Sequence, residues 1–194
     1  FQDFMKRLRK ARRDRIRYFH VGEYGNRCRH GEVERCAFCN VGRPHYHGVL
    51  FNCGFDDLEL CGSNNGVFYY SSSELERIWK YGFVQVGEVN FESAGYVARY
   101  CLKKVTGDMA DEHYVVCDGN GEVVFVQPEY STMSRRPGIG NEWFKRFHSD
   151  VFPSDEVPVV GKGVIKKAPR YYDGLLEVVD PILYEEVKRL RKEF

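Results

Sequence analysis

The run RPHYHGVLF at residues 43–51 constrains the fold of this chain more than any other segment. The apolar residues 49–51 predict a buried β-strand, and Pro44 stands where a strand can begin. Alternate residues of a strand point to the same face, so His45 and His47 should lie together while Tyr46 packs on the opposite side. Two such imidazoles can bind one metal ion, although an isolated His-x-His pair is a weak signal.

A second informative segment is YVARYCLKK at residues 96–104, for which a helix capped by Ser93 is predicted. Tyr96 and Tyr100 stand one helical turn apart on one face, and each is followed three residues later by a cation, Arg99 and Lys103. Aromatic residues at this spacing most often mark a buried helix face. The histidine pair favours a chemical role, because a phenol can attack a phosphodiester when cations neutralise the developing charge.

Hydrophobic spacing and capping residues predict the remaining elements. The chain should contain a basic amphipathic helix near its start, strands at residues 16–23 and 83–89, a helix from Ser73, a hairpin around residues 118–121, a helix at 142–151 and a final helix from Asp180. Residues 52–70, with their glycines and asparagines, are predicted to form a loop. Strands alternating with helices predict an α+β fold with helices packed on an antiparallel sheet, without determining the strand order.

The charge of the chain is unevenly distributed. The net charge is only +1, yet lysines and arginines crowd residues 6–17. Such a run is usually a solvated helix face, but its density favours contact with phosphates, with Arg9, Arg12 and Arg13 as candidates. The seven cysteines, with no apolar run long enough for a membrane span, predict a reducing, cytoplasmic setting and no membrane partner.

Together these segments resemble the HUH endonucleases that initiate rolling-circle replication, and in particular the replication initiators of microviruses of the gokushovirus type. The resemblance includes YFHVGEYG at residues 18–25, the histidine strand, FESA at 91–94 leading into the tyrosine helix, and STMSRRPGIG at 131–140. It implies a ferredoxin-like palm, with residues 1–106 as the endonuclease core and 107–194 as a C-terminal extension of the same domain. Family members carry an apolar strand upstream of Phe1, so this fragment is expected to lack the first strand of its sheet.

The resemblance also implies the chemistry. His45, His47 and Glu23 would hold a divalent ion, Mg or Mn; Glu23 is chosen because it ends the strand expected beside the histidine strand, and the alternative for it is a surface carboxylate. Tyr100 and Tyr96, assisted by Lys103, would nick the single-stranded phage origin and form a 5′-phosphotyrosine, which initiates and later terminates replication. The expected setting is the bacterial host cytoplasm, with host helicase and polymerase as further partners.

Further cations and cysteines are candidates for binding sites. Arg99 and Lys104 follow the tyrosines, and Arg135 and Arg136 stand beside glycines that allow a phosphate to approach the backbone; solvated arginines in a turn are the alternative. A structural zinc ion is a further hypothesis, the alternative being a loop with free thiols. Its ligands would be Cys28, His30, Cys36 and Cys39.

Two other functions remain open from the sequence. A non-catalytic single-stranded nucleic-acid-binding module on a ferredoxin-like fold would use the basic helix and exposed aromatic rings for stacking, and would need no metal. A zinc-dependent hydrolase would use the histidines and a glutamate with water as the nucleophile, leaving the tyrosines to packing.

Overall fold

The structure is a computed structural model that describes residues 1–24, 44–117, 121–159 and 161–193. The chain divides into two compact units, Phe1–Met133 and Ser134–Phe194. The assignment of residues 1–106 to an endonuclease core stays a prediction, because the two units are separated by packing and not by function.

The first unit is built around a three-stranded antiparallel sheet with the order β2-β1-β7. Its strands are β1 (Arg17–Tyr24), β2 (Pro44–Phe51) and β7 (Tyr130–Met133). The other elements of this unit are α1 (Gln2–Ala11), β3 (Glu59–Asn64), β4 (Val67–Ser71), α2 (Ser73–Trp79), α3 (Phe91–Arg99), a 3₁₀ helix (Tyr100–Lys103), α4 (Met109–Tyr114), β5 (Val115–Cys117) and β6 (Val123–Phe125). Helices packed with an antiparallel sheet confirm the predicted α+β fold.

The core of the first unit lies where α1 and α2 pack together. Phe4, Met5 and Leu8 of α1 recur at helical spacing and are buried against Leu75 and Ile78 of α2. Burying an aliphatic or aromatic side chain of this size contributes about 1.5–3 kcal/mol, so this contact stabilises the position of α1. The predicted first helix is thereby confirmed.

The prediction of a loop at residues 52–70 is wrong. β3 and β4 form an antiparallel hairpin, and the connection consists of Asn65 and Gly66, both with positive φ angles of 50° and 79°. Asn-Gly is the dipeptide that a two-residue hairpin turn favours, because both of its residues adopt this conformation at low cost. The strand predicted at residues 83–89 is also wrong, since only Val86 pairs there, in an isolated bridge with Tyr70.

The second unit has its own core. It contains α5 (Asn141–Phe147), a 3₁₀ helix (His148–Asp150), the hairpin β8 (Glu156–Val159) and β9 (Gly163–Lys166), α6 (Arg170–Val179) and α7 (Pro181–Glu193). Phe144, Val151, Leu176 and Val187 are almost fully buried within it. Arg191 donates hydrogen bonds to the carboxylates of Asp155 and Asp173 at 2.7–3.0 Å, which ties α7 to the hairpin and to α6.

Candidate active site

The pairing of β1 with β2 brings the candidate metal ligands onto one face of the sheet. Glu23 stands directly opposite His45, and Val21 stands opposite His47. Residues directly opposite one another in an antiparallel pair share a face, so Glu23, His45 and His47 lie on the same side. Tyr46 pairs with Gly22 on the other side. The prediction that the strand ending in Glu23 neighbours the histidine strand is confirmed.

Glu23 joins the histidine strand to the tyrosine helix. Its side chain is only 7% exposed, and its Oε1 lies 2.8 Å from His47 Nε2. Its second oxygen, Oε2, accepts a hydrogen bond from Lys103 Nζ in an ion pair. A carboxylate only accepts hydrogen bonds, so His47 donates from Nε2 in this arrangement. The carboxylate is thus shared between two residues that are distant from it in the sequence.

The tyrosine helix begins with a capping box. Asn90 is the N-cap, its Oδ1 accepting from Ser93 N at 2.8 Å, while Ser93 Oγ accepts from Asn90 N at 2.9 Å. The cap is therefore Asn90 and not Ser93 as predicted. The α-helical conformation ends at Arg99, and the chain continues as a 3₁₀ helix to Lys103.

Both tyrosines reach the histidine strand, in different ways. The ring of Tyr100 is stacked on that of His47, with centroids 4.1 Å apart and an interplanar angle of 9°. Tyr96 meets the same imidazole edge-on, at 6.1 Å and 82°. The Tyr100 hydroxyl donates a hydrogen bond to the hydroxyl of Tyr96. The two phenols therefore form one cluster with His47, and Tyr96 is the more open of the two, with 53% exposure.

The two cations that follow the tyrosines are placed differently. Lys103 Nζ lies 4.4 Å from the centre of the Tyr100 ring while pairing with Glu23. Arg99 is exposed, and its Nε donates to the carbonyl of Gly95 at 3.4 Å. Lys104 is also exposed. The structure therefore brings Lys103 into the site, whereas contact of Arg99 and Lys104 with DNA stays a prediction.

The donor set fits a divalent ion in part. His45 Nδ1 is buried and has no hydrogen-bond partner in the part of the chain that the structure describes, which leaves this nitrogen available for a metal. Imidazole nitrogens and a carboxylate are ligands that divalent metals accept. Within the same described ranges, however, no three His, Cys, Asp or Glu side chains are grouped closely enough to hold an ion as they stand. The set His45, His47 and Glu23 therefore stays a prediction.

A buried hydrogen bond that the sequence did not indicate holds the end of the tyrosine segment. The Tyr114 hydroxyl accepts from Val105 N at 3.0 Å and donates to Glu129 Oε2 at 2.6 Å. Burial and the bond to Glu129 raise the pKa of Tyr114. Val105 stands two residues after Lys103, and Glu129 directly precedes β7, so Tyr114 connects the tyrosine segment to the sheet.

The opposite face of the sheet carries a buried histidine. His20 is fully buried, its ring is stacked on that of Phe1 at 3.6 Å, and its Nδ1 lies 3.2 Å from Thr132 Oγ1. Burial lowers the pKa of His20 to about 3, so the ring is neutral near neutral pH. The packing of His20 agrees with the absence of any catalytic role predicted for it.

The same opposite face has a pocket of about 260 Å³ with an aromatic lining. Phe1, Tyr46, Trp79 and Tyr81 contribute to its wall, together with Phe83, which is 99% exposed. Exposed rings of this kind can stack on nucleic-acid bases. The sequence indicated exposed aromatics only in general terms, because α1, β2 and the segment after α2 are brought together by tertiary packing.

The arginines near α1 are not equivalent. Arg9 and Arg13 are exposed, whereas Arg12 donates to Glu74 Oε2 at 2.7 Å and lies over the ring of Phe55. In the second unit, Arg135 and Arg136 are both exposed beside the bridge between Arg135 and Gly138. Phosphate binding by these arginines stays a prediction. The zinc ligands proposed from the sequence lie outside the described residues: Cys28, His30, Cys36 and Cys39.

Comparison with known proteins identifies relatives of the chain. The family model of the replication-associated protein ORF2 matches residues 1–105, which include the histidine strand and the tyrosine segment. The replication-associated protein ORF2 of Spiroplasma virus 4 is 32% identical over 181 residues, covering 90% of this chain and 48% of that protein. The replication-associated protein VP4 of Bdellovibrio phage phiMH2K is 30% identical, covering 89% and 49%.

A third relative and two negative findings complete the comparison. The replication-associated protein ORF4 of Chlamydia phage 1 is 28% identical, covering 89% of this chain and 39% of that protein. The chain thus spans about half the length, or less, of the curated relatives it matches. No solved structure matches it. Within the described residues, every helix is too short or too polar to cross a bilayer.

Proposed function

Because this chain belongs to the replication-associated protein ORF2 family, we propose that it is a metal-dependent nickase and strand-transferase acting on the single-stranded origin DNA of a bacteriophage. The observation that carries the proposal is the cluster of Glu23, His47, Tyr100 and Lys103, which joins β1, β2 and the tyrosine segment. Packing alone does not account for an ionisable group of each kind at one point. The cluster contains the groups that transfer of a phosphoryl group to a phenol needs.

The candidate ligands give the proposed metal its role. His45, His47 and Glu23 would hold a Mg or Mn ion, which when bound neutralises charge on a non-bridging phosphate oxygen. The buried, unpartnered Nδ1 of His45 and the position of Glu23 on the same face support this set. A ferredoxin-like palm would provide such a face, and the antiparallel pairing of β1 with β2 supports that choice of fold.

In the proposed reaction, the Tyr100 hydroxyl oxygen attacks the scissile phosphorus. The new phosphotyrosine bond forms as the bond to the 3′ oxygen breaks, so the 5′ end of the DNA becomes linked to the protein and a 3′-hydroxyl is released. A phenol is mostly protonated at neutral pH, so its proton must leave. The hydrogen bond from Tyr100 to the exposed Tyr96 hydroxyl supplies a route for this proton to water, and water returns one to the leaving 3′ oxygen.

The second tyrosine and Lys103 complete the cycle. The phosphotyrosine bond retains the energy of the broken phosphodiester, so a free 3′-hydroxyl can reverse the step and close a strand. Tyr96, one helical turn away, would cut the regenerated origin while Tyr100 still holds the first end. Lys103, above the Tyr100 ring, would stabilise negative charge on the phenolate or the phosphate. In the bacterial host cytoplasm, host helicase and polymerase would extend the freed 3′ end.

A denaturing gel tests this proposal against its alternatives. The protein is incubated with Mn²⁺ and labelled single-stranded oligonucleotides that tile the genome encoding it. A labelled band that migrates with the protein after denaturation supports the nickase. Binding without cleavage would favour the nucleic-acid-binding module, for which the exposed rings around the aromatic pocket are the supporting observation. Cleavage without a covalent adduct would favour a hydrolase that uses water.

A further inference from the structure

Glu23 has both carboxylate oxygens engaged by other side chains. Oε1 accepts from His47 and Oε2 from Lys103, and the side chain is only 7% exposed. A carboxylate this far from water is costly without a cation, and Lys103 supplies one. A divalent ion that binds Glu23 must therefore replace contacts that the protein already makes.

We propose that Lys103 is an internal counter-ion, which occupies Glu23 in the metal-free protein and is displaced from it when a divalent cation binds. The inference rests on the proposed function, because it concerns the same metal site. An ammonium group and a divalent ion repel each other, so they compete for one buried carboxylate. Metal binding is weakened by the contact that has to be broken, and by linkage the metal weakens the contact between Lys103 and Glu23.

The position of Lys103 gives this exchange a consequence for the nucleophile. Its ammonium group lies 4.4 Å from the centre of the Tyr100 ring while it pairs with Glu23. A lysine carries its charge on a flexible four-carbon chain with three rotatable donors, so it can leave Glu23 without a change in the backbone. Once released, Lys103 remains beside Tyr100 and is free to bind a phosphate oxygen. Loading of the metal and release of this cation towards the DNA are thereby coupled.

Titration with Mn²⁺ alone, in the absence of DNA, tests the exchange by calorimetry. Lys103→Met removes the competing ammonium group and should tighten Mn²⁺ binding about tenfold, a typical size for coupling between sites. Lys104→Met is the matched control, since it removes a neighbouring, exposed positive charge. That variant should stay within about twofold of the unsubstituted protein, because exposed charges are screened.

Thermal unfolding supplies a second readout that does not depend on activity. Without metal, Lys103→Met should melt below the unsubstituted protein, because the buried Glu23 carboxylate loses its cation. Saturating Mn²⁺ should then raise its melting temperature by more than it raises that of the unsubstituted protein. If the methionine variant does not fold without metal, Lys103→Gln, which can still donate to Glu23, replaces it in both measurements.

The outcomes separate this inference from the proposed function. Equal or weaker Mn²⁺ binding by a folded Lys103→Met, with binding intact in the unsubstituted protein and lost in Glu23→Gln, overturns the exchange and leaves the metal site standing. Equal tightening in Lys103→Met and Lys104→Met also overturns it, because general charge would then be the cause. Absence of Mn²⁺ binding in the unsubstituted protein overturns the metal site and the exchange together.

Discussion

The imidazole of His47 and the phenol ring of Tyr100 are stacked almost in parallel, 4.1 Å apart between centroids. The contact joins the middle of β2 to the first residue of the 3₁₀ helix that follows α3. It restricts where the Tyr100 hydroxyl can be relative to Glu23, the hydrogen-bond partner of His47. A ring held in this way can lose its hydroxyl without losing its packing, so the two roles of Tyr100 are separable by mutation.

Tyr100→Phe should therefore retain the fold and binding of DNA but lose most of the covalent adduct. Removal of a nucleophile commonly costs a factor of about 10⁴ or more, and the residual adduct should be carried by Tyr96. Tyr96→Phe is the matched control and should retain the first nick. Mass spectrometry of the digested adduct identifies the modified residue. An adduct that persists in the double phenylalanine variant would contradict the tyrosine mechanism.

The hydrogen bonds of Tyr114 should stabilise the end of the tyrosine segment. Tyr114→Phe leaves Val105 N and the buried Glu129 carboxylate without their shared partner, which should reduce the free energy of unfolding by about 1–3 kcal/mol. Urea denaturation measures the loss. In a double-mutant cycle with Glu129→Gln, the two changes should be non-additive. Additive losses would show that the contact between Tyr114 and Glu129 contributes little.

Exposed arginines near α1 should contribute to the salt dependence of DNA binding. Each phosphate contact to a single strand contributes about 0.7 to the slope of log affinity against log salt concentration, so Arg9→Ala with Arg13→Ala should reduce the slope by about 1.4. Arg12→Ala is the contrasting variant, since its guanidinium is engaged by Glu74 and Phe55. It should lower stability and leave the slope nearly unchanged. Fluorescence anisotropy across a salt series distinguishes the two effects.

Burial of His20 should make the stability of the protein depend on pH. Its pKa is about 3 in the folded protein against an ordinary 6.5, so below pH 6.5 the unfolded chain binds a proton that the folded protein does not. Stability is therefore lost as the pH falls from 6.5 towards 3, by about 1 kcal/mol between roughly pH 7 and 5.5. His20→Gln should remove this component while the carboxylates titrate as before. Urea denaturation of both proteins at the two pH values gives the difference.

Part of the site was predictable because it depends on local geometry. The alternation of a strand places His45 and His47 on one face, and the helical repeat places Tyr96 beside Tyr100. The hairpin of β3 and β4 was also predictable, since Asn65 and Gly66 favour its turn, but glycines and asparagines across residues 52–70 were interpreted as a loop. The strand predicted at residues 83–89 has suitable residues but pairs only at Val86, because strands depend on partners that are distant in the sequence.

The sequence by itself thus determined the helix and strand composition, the residue types of the site and which neighbours share a face, because these follow from backbone geometry within a few residues. Only the tertiary structure decided that Lys103 and not Arg99 reaches Glu23, that Arg12 pairs with Glu74, and that Tyr114 holds Val105 to Glu129. The contact between Lys103 and Glu23 joins residues 80 positions apart. Such contacts depend on the register of β1 against β2 and on how the tyrosine segment packs on the sheet, and no local pattern encodes either.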